Sequence, residues 1–133
     1  MRGSPTYGKR ARAPSGVCLI VRAEAHSGAG EELAALLSQL AEEVLDSEAD
    51  CSSYVVTRMM GSSEHFAVHA RFTSWEAFNA HAETEHLTRL LPQLTALLAT
   101  PISMEIFLEL PGRRRAFRID DARGEVEAER QRK

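Results

Sequence analysis

The alternation of apolar and polar residues along the chain predicts four strands. It runs through residues 17–25, 51–60, 64–72 and 102–110. Gly61, Ser62 and Ser63 separate the second segment from the third and predict a hairpin turn between them. Pro101 marks the start of the fourth segment.

Helical periodicity fills the spaces between these strands. Residues 31–45 carry leucines at helical spacing, with acidic residues in the first turn, where the helix dipole favours them. Thr73-Ser74-Trp75-Glu76 has the Thr-x-x-Glu spacing of a capping box, which predicts a helix from there to about residue 83. A further helix is predicted over residues 85–99, with Pro92 expected to kink or restart it. The order β-α-β-β-α-α-β predicts an α+β, ferredoxin-like antiparallel sheet with helices on one face.

The predicted strands have two unlike sides. The sides expected to face the helices are apolar: Val17, Leu19 and Val21; Phe66, Val68, Ala70 and Phe72; and Ile102, Met104, Ile106 and Leu108. The opposite sides mix charged and apolar residues: Ile20, Arg22 and Glu24; Ala67, His69 and Arg71; and Ser103, Glu105, Phe107 and Glu109. Two interpretations stay open, a face exposed to solvent or a face that a second subunit covers, leaving a pocket lined by polar groups.

Composition and charge narrow the class of protein. Apolar residues make up 44% of the chain, enough for a hydrophobic core. Residues 17–110 hold four basic and fourteen acidic residues, a net charge of −10, which argues against nucleic acid as the main partner. The flanking segments, residues 1–16 and 111–133, carry +4 and +3 and are predicted to be disordered tails beside one domain at 17–110. No apolar run is long enough to span a membrane, and two cysteines make no disulfide framework, so we expect a cytoplasmic protein.

The segment from the third strand into the following helices resembles the antibiotic biosynthesis monooxygenase family. An apolar strand is followed by a polar turn, an alanine-rich helix ending in Ala80-His81, and a Thr84-Glu85-His86 step. The resemblance covers about residues 17–110 and implies a homodimeric α+β barrel. Some members oxidise aromatic phenols or quinols with O2 and without cofactor or metal, because the electron-rich substrate itself reduces oxygen. Others degrade haem, isomerise small sugars or have no known reaction.

This chain departs from the family pattern at two positions. Ala70 stands where many members have glutamate, and Phe72 stands where they have tryptophan. The haem-degrading branch is less similar, since it has an asparagine on the first strand and a tryptophan at the position of His81. The family's catalytic details therefore cannot be transferred whole.

Residue chemistry and the resemblance together indicate a candidate site. His81 matches the family's helix-ending histidine and could remove a proton from a phenol, although stabilising the helix C-terminus is the alternative. His69 is a second catalytic candidate, placed beside Arg71 where the two could hold an oxyanion. His65 and His69 share a strand face but are spaced too widely to chelate one metal ion, so no metal site is expected. The candidates for substrate binding are Arg71, Tyr54, Phe72, His86, Phe107 and Arg22.

Two functions follow as hypotheses. The first is a cofactor-independent monooxygenase that oxidises a small aromatic phenol or quinol with O2. The second is a non-catalytic dimeric barrel that binds a small molecule or serves as an accessory subunit of a pathway. Whether His81, His69 and Arg71 converge on one cavity discriminates between the two.

Overall fold

The computed structural model describes residues 16–111, so the predicted tails at 1–16 and 111–133 lie outside the described residues except for Gly16 and Pro111. The elements follow the predicted order. They are β1 (Val17–Glu24), α1 (Gly30–Ser47), β2 (Cys51–Arg58), β3 (His65–Phe72), α2 (Trp75–His81), α3 (Glu85–Ala96) and β4 (Ser103–Leu108).

The four strands form one antiparallel sheet in the order β2-β3-β1-β4. Only β2 and β3 are joined by a hairpin, and its turn contains Gly61 at φ 84°, a left-handed conformation that glycine adopts without strain. The connections through α1 and through α2 and α3 each skip a strand, so two β-α-β units interleave. The predicted ferredoxin-like α+β fold is therefore confirmed.

The core lies between the helices and one face of the sheet. Helix α1 buries Leu33, Leu37, Leu40 and Val44, which recur every three or four residues. From the sheet, the buried residues include the predicted apolar sides of β1 and β3 except for Val21, which is partly buried, and Val17 and Phe72 are fully buried. Within residues 16–111, no helix is long and apolar enough to cross a membrane.

Helix boundaries differ from the prediction by up to three residues, and two of the differences have a visible cause. The N-cap of α2 is Ser74, whose side-chain oxygen accepts a hydrogen bond from the Ala77 N–H at 3.1 Å, so the helix begins one residue later than a Thr73 cap would place it. Helix α3 ends at Ala96 rather than 99, because the chain turns back to β1. There the Ala99 N–H donates to the Glu24 carbonyl at 2.8 Å.

Pro92 lies inside α3 and does not restart it. A proline lacks the N–H that would pair with the carbonyl four residues earlier, here that of Thr88. Thr88 is exposed, so water can satisfy that carbonyl and the helix tolerates the missing bond. The predicted restart of the helix at Pro92 is wrong for this reason.

The largest correction concerns β4. Met104, Ile106 and Leu108 pair with Val21, Leu19 and Val17 and so lie on the helix side of the sheet, as predicted. They are nevertheless 51%, 45% and 41% exposed, because β4 is an edge strand and α1 packs over β2 at the opposite edge of the sheet. The prediction that these three residues belong to the core is wrong for the single chain.

Candidate active site

The structure divides the predicted site residues between the two faces of the sheet. Cross-strand partners share a face, and Arg71 pairs with Cys18 while His69 pairs with Ile20, on the side opposite the helices. Arg22 and Phe107 lie on the same side, which we call the open face of the sheet. The other four predicted residues lie on the helix side: Tyr54, Phe72, His81 and His86. His81 therefore does not converge with His69 and Arg71 within one chain. This removes the predicted catalytic site formed by all three and, on this point, favours the non-catalytic barrel.

On the helix side, one carboxylate joins the two histidines. The His81 Nδ1 lies 3.0 Å and 3.1 Å from the two oxygens of Glu48, and the His86 Nε2 lies 2.5 Å from Oε2 of the same group. The side chains of Glu48, His81 and His86 are 11%, 8% and 10% exposed. We call these three residues the Glu48 cluster.

Local structure explains how the Glu48 cluster assembles. Glu48 is the C-cap of α1, and its backbone N–H donates to the Val44 carbonyl at 2.8 Å. His81 is the last residue of α2 and His86 is the second residue of α3, so the two histidines stand on either side of a short turn. The carboxylate thus ties the end of α1 to both sides of the α2–α3 turn.

Aromatic rings surround the His81 imidazole. Its centroid lies 5.0 Å from that of Phe72 and 6.0 Å from that of Tyr54. Phe78 packs on Phe72 at 6.0 Å, and Trp75 packs on Phe78 at 5.4 Å, which extends the aromatic wall to the surface. These rings hold the His81 imidazole in a largely buried position.

Burial and the charge of Glu48 set the protonation of two neighbouring groups. Burial, followed by the nearby Cys51 and Glu48, holds the pKa of Tyr54 well above its usual value. Burial first, and then the Glu48 charge, raises the pKa of Cys51 to about 11. At neutral pH Tyr54 is therefore a neutral phenol that can donate a hydrogen bond, and Cys51 is a thiol rather than a nucleophilic thiolate.

The hydrogen bonds of the Glu48 cluster indicate what His81 can do. A carboxylate only accepts hydrogen bonds, so we place the proton of His81 on Nδ1, which donates a hydrogen bond to Glu48. We assign this tautomer from the hydrogen-bond pattern. A neutral imidazole with its proton on Nδ1 has a lone pair on Nε2, which makes that nitrogen a base.

On the open face, the two arginines predicted to bind a ligand are already paired with glutamates in or just after β4. The Nε and Nη2 atoms of Arg71 donate to the two oxygens of Glu109 at 2.6 Å and 2.8 Å. This bidentate contact raises the pKa of Arg71. Arg22 donates to Glu105 at 2.6 Å. An anionic ligand at either arginine would have to displace a glutamate.

A groove of about 270 Å³ lies at one end of the open face, beside Arg22, Thr57, His65 and Ser103. Of the predicted site residues, only Arg22 lines it. Within residues 16–111, no group of three histidine, cysteine, aspartate or glutamate side chains could hold a metal ion.

Sequence reasoning missed Glu48. It lies in a polar stretch between α1 and β2, and nothing in its immediate neighbours distinguishes it from the acidic residues around it. The one available signal is indirect: two histidines predicted next to a helix turn, if buried, need a hydrogen-bond partner. The identity of that partner depends on which loop the fold places beneath them.

Comparison with known proteins agrees with this architecture. The family model for antibiotic biosynthesis monooxygenases matches residues 16–92, and the chain belongs to that family. The resemblance found in the sequence is thereby confirmed. No curated protein matches the sequence.

Several solved structures share the fold. A Pseudomonas aeruginosa protein is 25% identical with a TM-score of 0.66, over 73% of this chain and 96% of its own. A Mycobacterium tuberculosis protein is 23% identical with a TM-score of 0.66, over 73% and 97%. A structure described as an antibiotic biosynthesis monooxygenase is 22% identical with a TM-score of 0.65, over 71% and 99%. At these identities the likeness concerns the fold.

Proposed function

We propose that this protein is a cofactor-independent monooxygenase that oxidises a small aromatic phenol or quinol with O2, with His81 as the general base. The observation that carries the proposal is the buried His81 imidazole, anchored through Nδ1 and packed against Phe72 and Tyr54. Family membership supports the same class of reaction.

The proposed reaction begins with proton transfer. The Nε2 atom of His81 accepts the proton of the substrate hydroxyl, which raises the electron density of the ring. A ring carbon then forms a bond to one oxygen atom of O2, and the resulting peroxide takes back the proton from His81. The hydroperoxide loses water, which carries away the hydrogen of that ring carbon. The substrate becomes a quinone that retains one oxygen atom of O2, and the other oxygen leaves in the water. All four electrons that reduce O2 come from the substrate.

The neighbouring residues have supporting roles in this proposal. Tyr54, held neutral by its raised pKa, donates a hydrogen bond to the substrate oxygen. Phe72, which is fully buried, packs against the His81 ring and helps to hold it in place. The burial of this side excludes bulk water from the reacting atoms.

We further propose that the protein is a homodimer in which the open sheet face meets its counterpart. Val55 and Phe107 leave 46% and 49% of their surface exposed on that face, beside the Arg71–Glu109 pair. In the dimer, His69, Arg71, Arg22 and Phe107 would line the space between the two sheets. Sedimentation velocity at micromolar concentration tests this, and a monomer would contradict it.

The catalytic proposal is tested by oxygen uptake with a panel of anthrones and hydroquinones. We expect the purified protein to consume O2 and, with ¹⁸O2, to place one labelled oxygen atom in the quinone. His81→Gln should lower kcat by about 10²–10⁴-fold. His26→Gln is the matched control, since His26 is exposed and its only hydrogen bonds among residues 16–111 use backbone atoms.

The outcomes separate the two hypotheses. Catalysed uptake that His81→Gln abolishes supports the monooxygenase. If no member of the panel is oxidised but one binds and raises the melting temperature, the protein is the non-catalytic binding barrel instead. Uptake that survives His81→Gln would refute the role of His81 as base.

A further inference from the structure

Glu48 is a buried acidic group that the proposed reaction does not itself use. We infer that Glu48 is the positioning residue of this site, which sets the tautomer of His81 and holds its ring in place; the inference rests on the proposed role of His81. It touches no reacting atom. It acts through the hydrogen bonds that its two oxygens accept from His81 and His86.

The first argument is the choice of base nitrogen. Without a strong acceptor near Nδ1, a neutral imidazole can carry its proton on either nitrogen. The Glu48 carboxylate, 3.0 Å from Nδ1, favours the proton on that atom and keeps the lone pair on Nε2. When Nε2 accepts a substrate proton, the ring becomes positive beside a carboxylate that is 11% exposed, so the attraction is weakly screened by water.

The second argument is the fixed position of the carboxylate. His86 donates to Oε2 from the far side of the α2–α3 turn, and the backbone of Glu48 is bonded to Val44 and Cys51. These three contacts leave the carboxylate little freedom to move away from His81. His86 therefore acts as a second positioning residue, through Glu48, rather than as a base.

The neighbouring titratable groups do not neutralise Glu48. Cys51 and Tyr54 are the described groups that respond to its charge, and the pKa of each is raised. Both stay uncharged at neutral pH, and the side-chain hydrogen bonds that the Glu48 carboxylate accepts within residues 16–111 come from the two histidines. The carboxylate therefore interacts chiefly with the two imidazoles.

The experiment compares Glu48→Gln with Glu48→Asp, and with Glu42→Gln on the exposed side of α1 as the matched control. A glutamine offers one oxygen and one NH2 group where Glu48 offers two acceptors, so one histidine must lose its acceptor or present a lone pair instead. Glu48→Asp retains the charge on a side chain that is one methylene shorter.

The direct readout is the ¹H–¹⁵N NMR spectrum of histidine-labelled protein, which distinguishes the two tautomers of His81 without any activity. We expect the Nδ1–H form of His81 in the wild type and in Glu42→Gln, and a changed tautomer of His81 or His86 in Glu48→Gln. Kinetically, Glu48→Gln should lower kcat by about 10²–10⁴-fold with little change in KM, and Glu48→Asp should restore part of it.

The outcomes distinguish this inference from the proposed function. A wild-type His81 in the Nε2–H form, or tautomers of both histidines that Glu48→Gln leaves unchanged, overturns the inference even if the protein is an active oxygenase. The expected tautomers with no oxygen uptake refute the proposed function and leave the positioning role standing. If Glu48→Gln fails to fold, the wild-type tautomer and the Glu48→Asp variant still decide the question.

Discussion

Phe72 and Phe107 offer a matched test of which face of the sheet is the core. Both were predicted to bind substrate, and they lie on opposite faces of the structure, with Phe72 0% and Phe107 49% exposed. We replace each with alanine. The same atoms are removed in both variants, so the difference in the free energy of unfolding reports the environment of the ring.

The expected magnitudes follow from burial. A fully buried phenylalanine removes roughly 150–250 Å² from water, and its truncation leaves a cavity, so Phe72→Ala should cost about 3–5 kcal/mol. Phe107 leaves no cavity when truncated, so Phe107→Ala should cost about 1 kcal/mol or less in the monomer. Phe72→Leu, at about 1 kcal/mol, keeps the comparison possible if Phe72→Ala does not fold.

Urea unfolding followed by circular dichroism, at several protein concentrations, measures these values. The loss in Phe72→Ala should not depend on concentration. If the open face is the dimer interface, the loss in Phe107→Ala should grow with concentration, because it then includes dissociation. Equal losses for the two variants at low concentration would refute the assignment of the core to the helix side.

Three other predictions follow from local geometry. A Cβ on Gly30 would lie 2.1 Å from the Ser63 carbonyl oxygen, so Gly30→Ala should lower stability by about 1–3 kcal/mol in urea unfolding; a neutral result would contradict this contact. Ser74→Ala should cost about 1 kcal/mol in thermal unfolding and Thr73→Ala clearly less, because Ser74 is the cap; the reverse order would restore the Thr73 cap. Since the pKa of Cys51 is about 11, its alkylation in a variant without the other cysteine should accelerate about tenfold per pH unit up to that value, and a plateau near pH 9 would show an ordinary thiol.

Local sequence signals predicted the elements well, and they were less reliable at element ends. The capping box indicated a helix after β3, yet Thr73 and Ser74 are both good caps, and only the backbone path decides which hydroxyl reaches the Ala77 amide. Pro92 is a helix breaker by its chemistry, and exposure of the Thr88 carbonyl made it tolerable. The residues next to Thr88 in the sequence do not predict that it is exposed.

The candidate site shows a larger gap between sequence and structure. Alternation correctly placed His69 and Arg71 on the face opposite Phe72, since period two follows from strand geometry. It could not place His81, because the position of a helix-ending side chain depends on how α2 packs. Nor could it find Glu48, whose partners lie 33 and 38 residues away along the chain.

By itself, the sequence determined the order of the elements, the unlike sides of the strands, the net negative charge of residues 17–110 and the family. These features depend on short-range periodicity, composition and motifs. The tertiary structure decided three other features: β4 leaves its apolar side exposed, the predicted site residues divide between two faces, and Glu48 joins His81 to His86. Each of these is a contact, or a missing contact, between segments far apart in the chain. The physical reason is that burial and hydrogen-bond partners depend on how helices cover the sheet, which no local pattern records.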